Sequence, residues 1–441
     1  MPQVDELAAT LAPLLADFLP RQRWFANDAA PAKVTITSVE VQRDDPLLAW
    51  VVVEVVLESG EPAAYQLVVA GRPVKGKPDF LRGKERVTLG EDDDRIYYDA
   101  LVDPTLAVEV LAKVAPDEQV EVARPLVVEQ SNSSVVYDER LIMKFFRRLH
   151  PEPNPDVEIN RVLGDRGFPH VVPQRAELRR DGVDLAVVRD YLLASSDAWQ
   201  LALTSLRDLL GSRLPPEEAG GDLGPEAATL GEVTAKLHAE LADAFGVSTA
   251  RPDLWLEDMR AQLTRTPSGA VSIEKVDAAL AALLDVADPG KAIRVHGDLH
   301  LGQFLRADSG WFVLDFEGEP ARPVAERVRP STPLRDVAGM LRSFHYASRA
   351  ALVDRGRDLD PELSKLAEAW EARTVEAFWR GYRRTGGVQE LLPASEADQQ
   401  SVLRAFELDK AVYEVGYEFA HRPSWADIPL TAVGRLLGQV A

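Results

Sequence analysis

Two short stretches of this 441-residue chain combine the residue types that phosphoryl transfer requires. One is Val295-His296-Gly297-Asp298-Leu299-His300-Leu301-Gly302-Gln303; the other is Leu314-Asp315-Phe316-Glu317. Moving a phosphoryl group takes a carboxylate at the attacking hydroxyl, oxygen ligands for a metal at the phosphates, and positive charge facing the developing negative charge. Asp298 reads as the carboxylate that accepts the hydroxyl proton. Gln303, five residues on, offers a side-chain carbonyl. Asp315, 17 residues after Asp298, ends a hydrophobic strand with a second carboxylate, and Glu317 follows on the same side. A donor set made only of oxygens suits magnesium. Singly each residue is a weak signal, since an Asp after Gly is usually a turn or cap residue; the combination is rare by chance. His296 and His300 have the i, i+4 spacing of zinc-hydrolase helices, but Gly297 disfavours a helix and the glutamate of that motif is absent. His296 therefore reads as a residue that holds the loop by side-chain-to-backbone hydrogen bonds. His300 either lines an acceptor pocket or packs.

The positive charge should lie upstream. Lys144 sits amid apolar neighbours in the strand Leu141–Phe146. There it would pair with ATP phosphates, held by Glu158 of the following helix; the alternative is an edge-strand lysine facing water. Just before it, Glu129-Gln130-Ser131-Asn132-Ser133-Ser134 joins two strands with small polar residues. Such a loop lets backbone amides and the hydroxyls of Ser131, Ser133 and Ser134 approach phosphates, although it lacks the glycines of a familiar phosphate loop. Val187–Tyr191 then fits a hinge whose backbone meets the adenine, with Val188 and Tyr191 as its contacts. The implied cofactors are ATP and Mg2+.

The elements that must position these residues divide the chain in three. Residues 1–115 read as a small α+β cap: a helix over Val4–Phe18, strands over Lys33–Gln42, Leu47–Glu58 and Ala63–Ala70, and a helix over Arg95–Leu101. Residues 116–194 are β-rich, with strands at Glu121–Val128, Ser134–Tyr137, Arg140–Phe146, Arg175–Leu178 and Asp184–Tyr191 around one helix, Val157–Asp165. Strands, one helix, then more strands is the order of a kinase N-lobe. Residues 195–441 are mainly helical, with a Pro-, Gly- and Glu-rich loop at Gly211–Gly224. One strand-like pair, Arg294–Val295 with Trp311–Phe316, interrupts those helices and carries the chemistry. Arg335-Asp336-Val337-Ala338 opens a helix after it; Asp336 either braces the catalytic loop or is an exposed residue favoured by the macrodipole.

Composition narrows the partners. Hydrophobic residues make up 46% and charged residues 27%, a globular profile. The net charge of −21 repels nucleic acid and anionic membranes, so neither is expected as a partner. No apolar run reaches the roughly 18–20 residues of a membrane helix. With no cysteines, disulfides and thiol chemistry are excluded. A cytoplasmic protein, monomeric or loosely dimeric, is the expectation.

The run His296–Gln303, then Leu314–Pro320, Arg322-Pro323, Glu326-Arg327 and Leu334–Phe344, closely resembles bacterial maltokinases and their actinobacterial relatives that phosphorylate glucosamine. More distantly it resembles aminoglycoside phosphotransferases. Lys410–Glu418, Arg422–Trp425 and Ile428-Pro429-Leu430 are similar to the same family, and the likeness spans most of residues 120–441. The resemblance implies an α+β, bilobal, protein-kinase-like fold with an N-terminal cap, and transfer of the ATP γ-phosphate to a sugar hydroxyl. Two departures favour glucosamine over maltose. Gln22-Arg23-Trp24-Phe25 runs into Ala26-Asn27-Asp28 where maltokinases have a Gly-Gly-Lys-like turn. Their Ser-Phe-Asp-Tyr appears as Ser343-Phe344-His345-Tyr346. On glucosamine the primary hydroxyl at C6 is the natural acceptor; on maltose the family phosphorylates C1. In the helix Ser395–Phe419, Lys410, Glu414, Tyr417 and Glu418 fall near one another. Acidic side chains there would bind an amino group, and Trp425 would stack on a sugar face. The alternatives are a Lys410–Glu414 surface pair and an aromatic core contact. A non-catalytic binding module is disfavoured because Lys144, Asp298, Gln303 and Asp315 are all present, and an antibiotic-modifying enzyme because such enzymes usually lack a cap.

Overall fold

The computed structural model describes residues 2–25, 31–56, 62–75, 79–126, 131–320, 322–353 and 360–438. The Ala26-Asn27-Asp28 departure, the Leu57–Glu58 and Val127–Val128 ends of two expected strands, the Gly60-Glu61 turn and Glu129-Gln130 at the start of the serine-rich loop lie outside the described residues. The chain folds into two compact units, residues 1–161 with 173–193, and residues 162–172 with 194–441. The elements expected of a cap and of an N-lobe share the first unit.

That unit contains, in order, α1 (Pro2–Phe18), β1 (Lys33–Asp44), β2 (Leu47–Val56), β3 (Pro62–Pro73), β4 (Thr88–Glu91), β5 (Arg95–Asp99), α2 (Pro104–Val114), β6 (Ala123–Pro125), β7 (Asn132–Tyr137), β8 (Leu141–Phe146), β9 (Arg148–Leu149), most of α3 (Pro155–Asp165), β10 (Gln174–Arg180) and β11 (Val183–Asp190). One antiparallel sheet has the order β1-β2-β3-β5-β4, with β9 pairing β3; the other runs β10-β11-β8-β7-β6. The first sheet is apolar on both faces, which explains the nearly unbroken hydrophobic run of β2. On one face Leu11, Leu15 and Phe18 of α1 meet Val51, Val53, Tyr65 and Leu67. On the other, Trp50, Val68 and Tyr98 join α2 and the second sheet through Leu106, Val110, Tyr137 and Phe145.

Arg95–Leu101 forms a strand and a 3-10 turn, not the expected helix. Ile96, Tyr97 and Tyr98 favour the pleated, buried setting, and the two tyrosine hydroxyls are held by Asp92 and Asp103. The helix lies one step later. Asp103 caps α2 by accepting from Thr105 N and Leu106 N, with Pro104 in the first turn, a start signal legible in the sequence.

The second unit contains β12 (Ser196–Asp197), α4 (Ala198–Ser212), α5 (Gly224–Phe245), β13 (Val247–Thr249), α6 (Pro252–Arg265), α7 (Ile273–Ala281), β14 (Lys291–Ile293), β15 (Phe304–Ala307), β16 (Gly310–Val313), α8 (Val324–Arg327), α9 (Leu334–Val353), α10 (Pro361–Arg384), α11 (Glu396–His421) and α12 (Asp427–Leu436). The expected pairing of Arg294–Val295 with Trp311–Phe316 is not formed. β14 ends at Ile293 and pairs β13, whereas β16 pairs β15 in a small sheet with β12. Backbones of α5 and α10 cross closely: a Cβ on Gly231 would lie 2.1 Å from Phe378 O, and one on Gly381 1.9 Å from Ala228 O. Among the described residues no helix is long and apolar enough to cross a membrane.

Candidate active site

The loop that carries Asp298 leaves β14 at Ile293, whose backbone exchanges two 2.9 Å hydrogen bonds with Ser331. It turns at Gly297, where φ is +83° and a side chain would be strained. It closes in the 3-10 turn Leu301–Gln303 and feeds β15. The β15–β16 hairpin then delivers Asp315 next to that turn, because Leu314 N donates to Gln303 O at 2.9 Å. Gln303 and Asp315, two of the three expected metal ligands, thus leave adjoining stretches of backbone, and Glu317 follows two residues after Asp315.

One imidazole joins the two halves. Nε2 of His296 donates to Leu314 O at 2.8 Å, and its Nδ1 accepts from Asp298 N at 3.3 Å. A carbonyl can only accept and an N–H only donate, so these partners select the Nε2–H tautomer. The ring also packs on Phe316, with centroids 4.9 Å apart. Asp315 is exposed and has φ +58°, a left-handed conformation that non-glycine residues rarely adopt and that clusters at functional sites.

Asp336, the first-turn aspartate of α9, braces the loop. Its two oxygens accept from His296 N and Gly297 N, each at 2.8 Å, and its Oδ2 meets His238 Nε2 at 3.1 Å. Burial alone would raise its pKa, but the His238 hydrogen bond and charge, with the backbone donors, hold it below the usual carboxylate range. Of the two readings open in the sequence, the exposed helix-end residue is excluded, because Asp336 is 1% exposed. His238 carried no signal beyond being a lone histidine on a helix.

Asp298 is half-buried and meets Lys410, whose Nζ lies 2.7 Å from Asp298 Oδ1 and 2.8 Å from Glu319 Oε1. Burial would depress the Lys410 ammonium; Asp298 and Glu319 more than offset this and push it upward. Glu319 is in turn held below the carboxylate range, against burial, by Lys410, Arg322 and Arg335. Arg322 bonds Glu319 and reaches Asp409 Oδ2 at 2.7 Å. The result is a buried alternation of charge: Asp298, Lys410, Glu319, Arg322, Asp409. Sequence reasoning assigned Lys410 to the acceptor but gave no role to Glu319, Arg322 or Asp409. Glu319 and Arg322 were visible only as members of the run that carries the family resemblance, and Asp409 only as the neighbour of Lys410.

The remaining acceptor candidates scatter. His300 is half-buried; its Nδ1 accepts from Gly302 N at 3.0 Å, and burial lowers its pKa against the opposing charge of Asp298. Lys410 and Glu414 do not pair with each other, since Glu414 is taken by Arg342. Glu418 is 1% exposed and both its oxygens accept from Arg422, at 2.7 and 3.0 Å. It is a buried ion-pair partner, not a carboxylate offered to a sugar. Tyr417 stacks on His421 at 4.3 Å. Trp425 is half-buried beside Tyr346 at 5.9 Å, with Arg422 over its ring at 4.6 Å.

In the first unit, Lys144 Nζ lies 3.5 Å from Asp156 Oδ2, and Asp156, fully buried, is also held by Arg189 at 3.0 Å. Glu158 follows two residues later in α3. The register opposes Ser134 to Lys144 and Lys144 to Val187, so these share one face of the sheet; Ser133, Phe145 and Ala186 take the other. Ser131 is exposed at the start of β7. Two expectations need correction. Ser133 Oγ accepts from Arg147 Nε at 2.8 Å on the opposite face from Lys144. Val188 is buried mid-sheet, paired with Met143 on one side and Ala176 on the other, so its backbone belongs to the ladder. Tyr191 N donates to Arg140 O at 2.8 Å. Val188 spends its backbone hydrogen bonds on neighbouring strands because β11 is interior to its sheet. Among the described residues no group of three His, Cys, Asp or Glu side chains forms a metal site.

Comparison with known proteins places residues 122–373 in the phosphotransferase enzyme family and matches residues 18–103 to the maltokinase N-terminal cap domain. The chain is 30% identical to a glucosamine kinase of Streptacidiphilus jiangxiensis over 355 residues, covering 77% of this chain and 78% of that one. It is 31% identical over 334 residues to a glucosamine kinase of Mycolicibacterium smegmatis, covering 72% and 80%. The fold is similar to that of a glucosamine kinase solved with glucosamine, ADP and inorganic phosphate. There the TM-score is 0.66 at 24% identity, over 97% of this chain and 99% of the other.

Proposed function

The chain belongs to the phosphotransferase enzyme family, with a maltokinase-type cap, and from that premise we propose that it uses ATP to phosphorylate D-glucosamine at C6. The observation that carries this reading is the half-buried carboxylate of Asp298, fixed between a braced loop and Lys410. One of its oxygens is engaged at 2.7 Å by Lys410; the other takes the proton of the sugar hydroxyl as the bond to phosphorus forms. The acceptor assignment draws on the two glucosamine kinases to which the chain is about a third identical.

Magnesium suits the donors at hand: the carboxylates of Asp315 and Glu317 and the amide oxygen of Gln303 are all hard ligands, and Mg2+ binds through one or two carboxylates plus phosphate oxygens. When bound it neutralises phosphate charge. Lys144 and Ser134, on one face of their sheet, are the nucleotide-side residues in this proposal, with Tyr191 following the strand that borders β8. The cap, N-lobe and C-lobe roles fall to residues 1–115, 116–194 and 195–441.

A coupled ADP-release assay over glucosamine, glucose, maltose and an aminoglycoside tests the proposal. Glucosamine is expected to give the highest kcat/KM, and phosphorus NMR of the product to locate the phosphate on C6. Maltose is the second reading, favoured by the maltokinase-type cap; a higher kcat/KM on maltose would replace glucosamine with it. Equal rates on all four acceptors would defeat both.

A further inference from the structure

The aromatic pair Trp24-Phe25 and the corrected Ser133 both lead to Arg147, a residue outside the reaction chemistry. Arg147 directly follows β8 and is 1% exposed. Its Nε donates to Ser133 Oγ at 2.8 Å, and its Nη2 pairs with Asp99 at the end of β5. The guanidinium lies over the ring of Trp24 at 5.0 Å and over that of Phe145 at 5.1 Å. The backbone beside it is gripped as well. Gln66 N donates to Arg147 O at 2.9 Å, and Gln66 Nε2 donates to Phe146 O and Leu185 O, each at 2.7 Å. Trp50 Nε1 fixes that amide by donating to Gln66 Oε1 at 2.9 Å. Trp24, Trp50, Gln66 and Asp99 all come from the first hundred residues. They hold the β7–β8 hairpin from the face opposite Lys144 and Ser134.

We propose that Arg147 is a positioning residue through which the cap fixes the β7–β8 hairpin, and that this link sets the affinity for ATP and not that for the acceptor. The inference rests on the nucleotide role proposed above for Lys144. Hydrophobic residues of similar volume would stabilise such a core at least as well as a buried ion pair; what the ion pair adds is a single geometry. A guanidinium fork bonded to Asp99 on one side and Ser133 on the other transmits the placement of β5 to β7. Small displacements of a phosphate-binding lysine weaken its contacts steeply, so a loosened hairpin shows first in nucleotide binding.

The test is calorimetric titration of the full chain with ATP, alongside KM for ATP and for glucosamine, in wild type, D99N, S133A and the D99N/S133A double variant. Each single variant is expected to raise the Kd for ATP by about 3- to 10-fold, with the double variant no worse than the weaker single. The KM for the sugar stays within about twofold, because uniform loss of fold would move both constants. R147K, which keeps the charge but loses the fork, should raise the Kd for ATP as much as the D99N/S133A double variant. Wild-type Kd in both single variants overturns the proposal. So does an additive double variant, which would mean that Ser133 touches ATP directly. If D99N does not fold, W24L replaces it, with the same outcomes. A wild-type chain that binds no ATP overturns the nucleotide reading itself, and this proposal with it.

Discussion

In the proposed reaction the two carboxylate oxygens of Asp298 have different duties. Lys410 holds Oδ1 at 2.7 Å, and Glu319 shares that lysine at 2.8 Å, so its full charge does not fall on the base. Replacing Asp298 by Asn keeps the shape but removes the proton acceptor. We expect D298N to lose about 10²- to 10⁴-fold in kcat with the circular dichroism of the folded chain retained; a near wild-type rate in the coupled assay would remove Asp298 from its role. His345 offers a separate test by pH. It is buried against Glu371, with Nδ1 to Oε2 at 3.0 Å, and burial, opposed by Glu371, lowers its pKa to about 4. Between its ordinary value and about 4 the unfolded chain binds a proton that the folded chain refuses, so stability falls as pH falls through that window. Glu407, pushed up to about 7 by burial, acts in the opposite sense over part of the range. The comparison must therefore be made against H345Q. The stability advantage of wild type over H345Q should shrink by roughly 3 kcal/mol between about pH 6.5 and 4 in urea melts. Parallel curves would show that His345 is not held neutral.

Among the elements, α9 is the bed of the loop that carries Asp298. Asp336, Gly339 and Ser343 follow one another along one face of that helix. Asp336 accepts from Gly297 N at 2.8 Å, Gly339 faces the Leu299 carbonyl, and Ser343 Oγ accepts from Leu301 N at 3.1 Å. A Cβ on Gly339 would lie 2.3 Å from Leu299 O. G339A gains at most about 1 kcal/mol of helix propensity, and the clash outweighs that by moving the loop. We expect kcat to fall at least about 10-fold with helical circular dichroism retained; full activity would mean that the loop tolerates the shift. D336A leaves two buried N–H groups without their acceptor and should destabilise by about 2–5 kcal/mol in chemical denaturation. A change below about 0.5 kcal/mol would show that water replaces the carboxylate.

For the whole molecule, the net charge of −21 dominates encounters with other polymers. No retention of a random DNA duplex is expected in a gel shift at about 150 mM salt; stable retardation would contradict the field argument. Under the proposed nucleotide role, the same charge leaves ATP to be gathered by local cations such as Lys144. The two compact units differ in what holds them. Two sheets sandwich apolar side chains in the first, whereas close helix crossings, including glycine contacts between α5 and α10, build the second.

Much of the fold, and the loop of the candidate site, was legible in one dimension: the turn that bears Asp298, the helical periodicity of α4, α5, α9, α10 and α11, and the strands β2, β3, β8 and β11. Those signals are local, made of hydrophobic spacing and a few residue types at short range. The same reading misplaced the helix of the cap at Arg95–Leu101, because Ile96, Tyr97 and Tyr98 are decided by burial against distant residues. Three facts waited for the folded chain. Lys410 sits on Asp298 across 112 positions, and Glu319 shares that lysine. Ser133 turns to Arg147 and not to the face of Lys144. Ion pairs between residues so far apart leave no periodicity in the chain; they exist because folding removes these charges from water and each must then find its opposite.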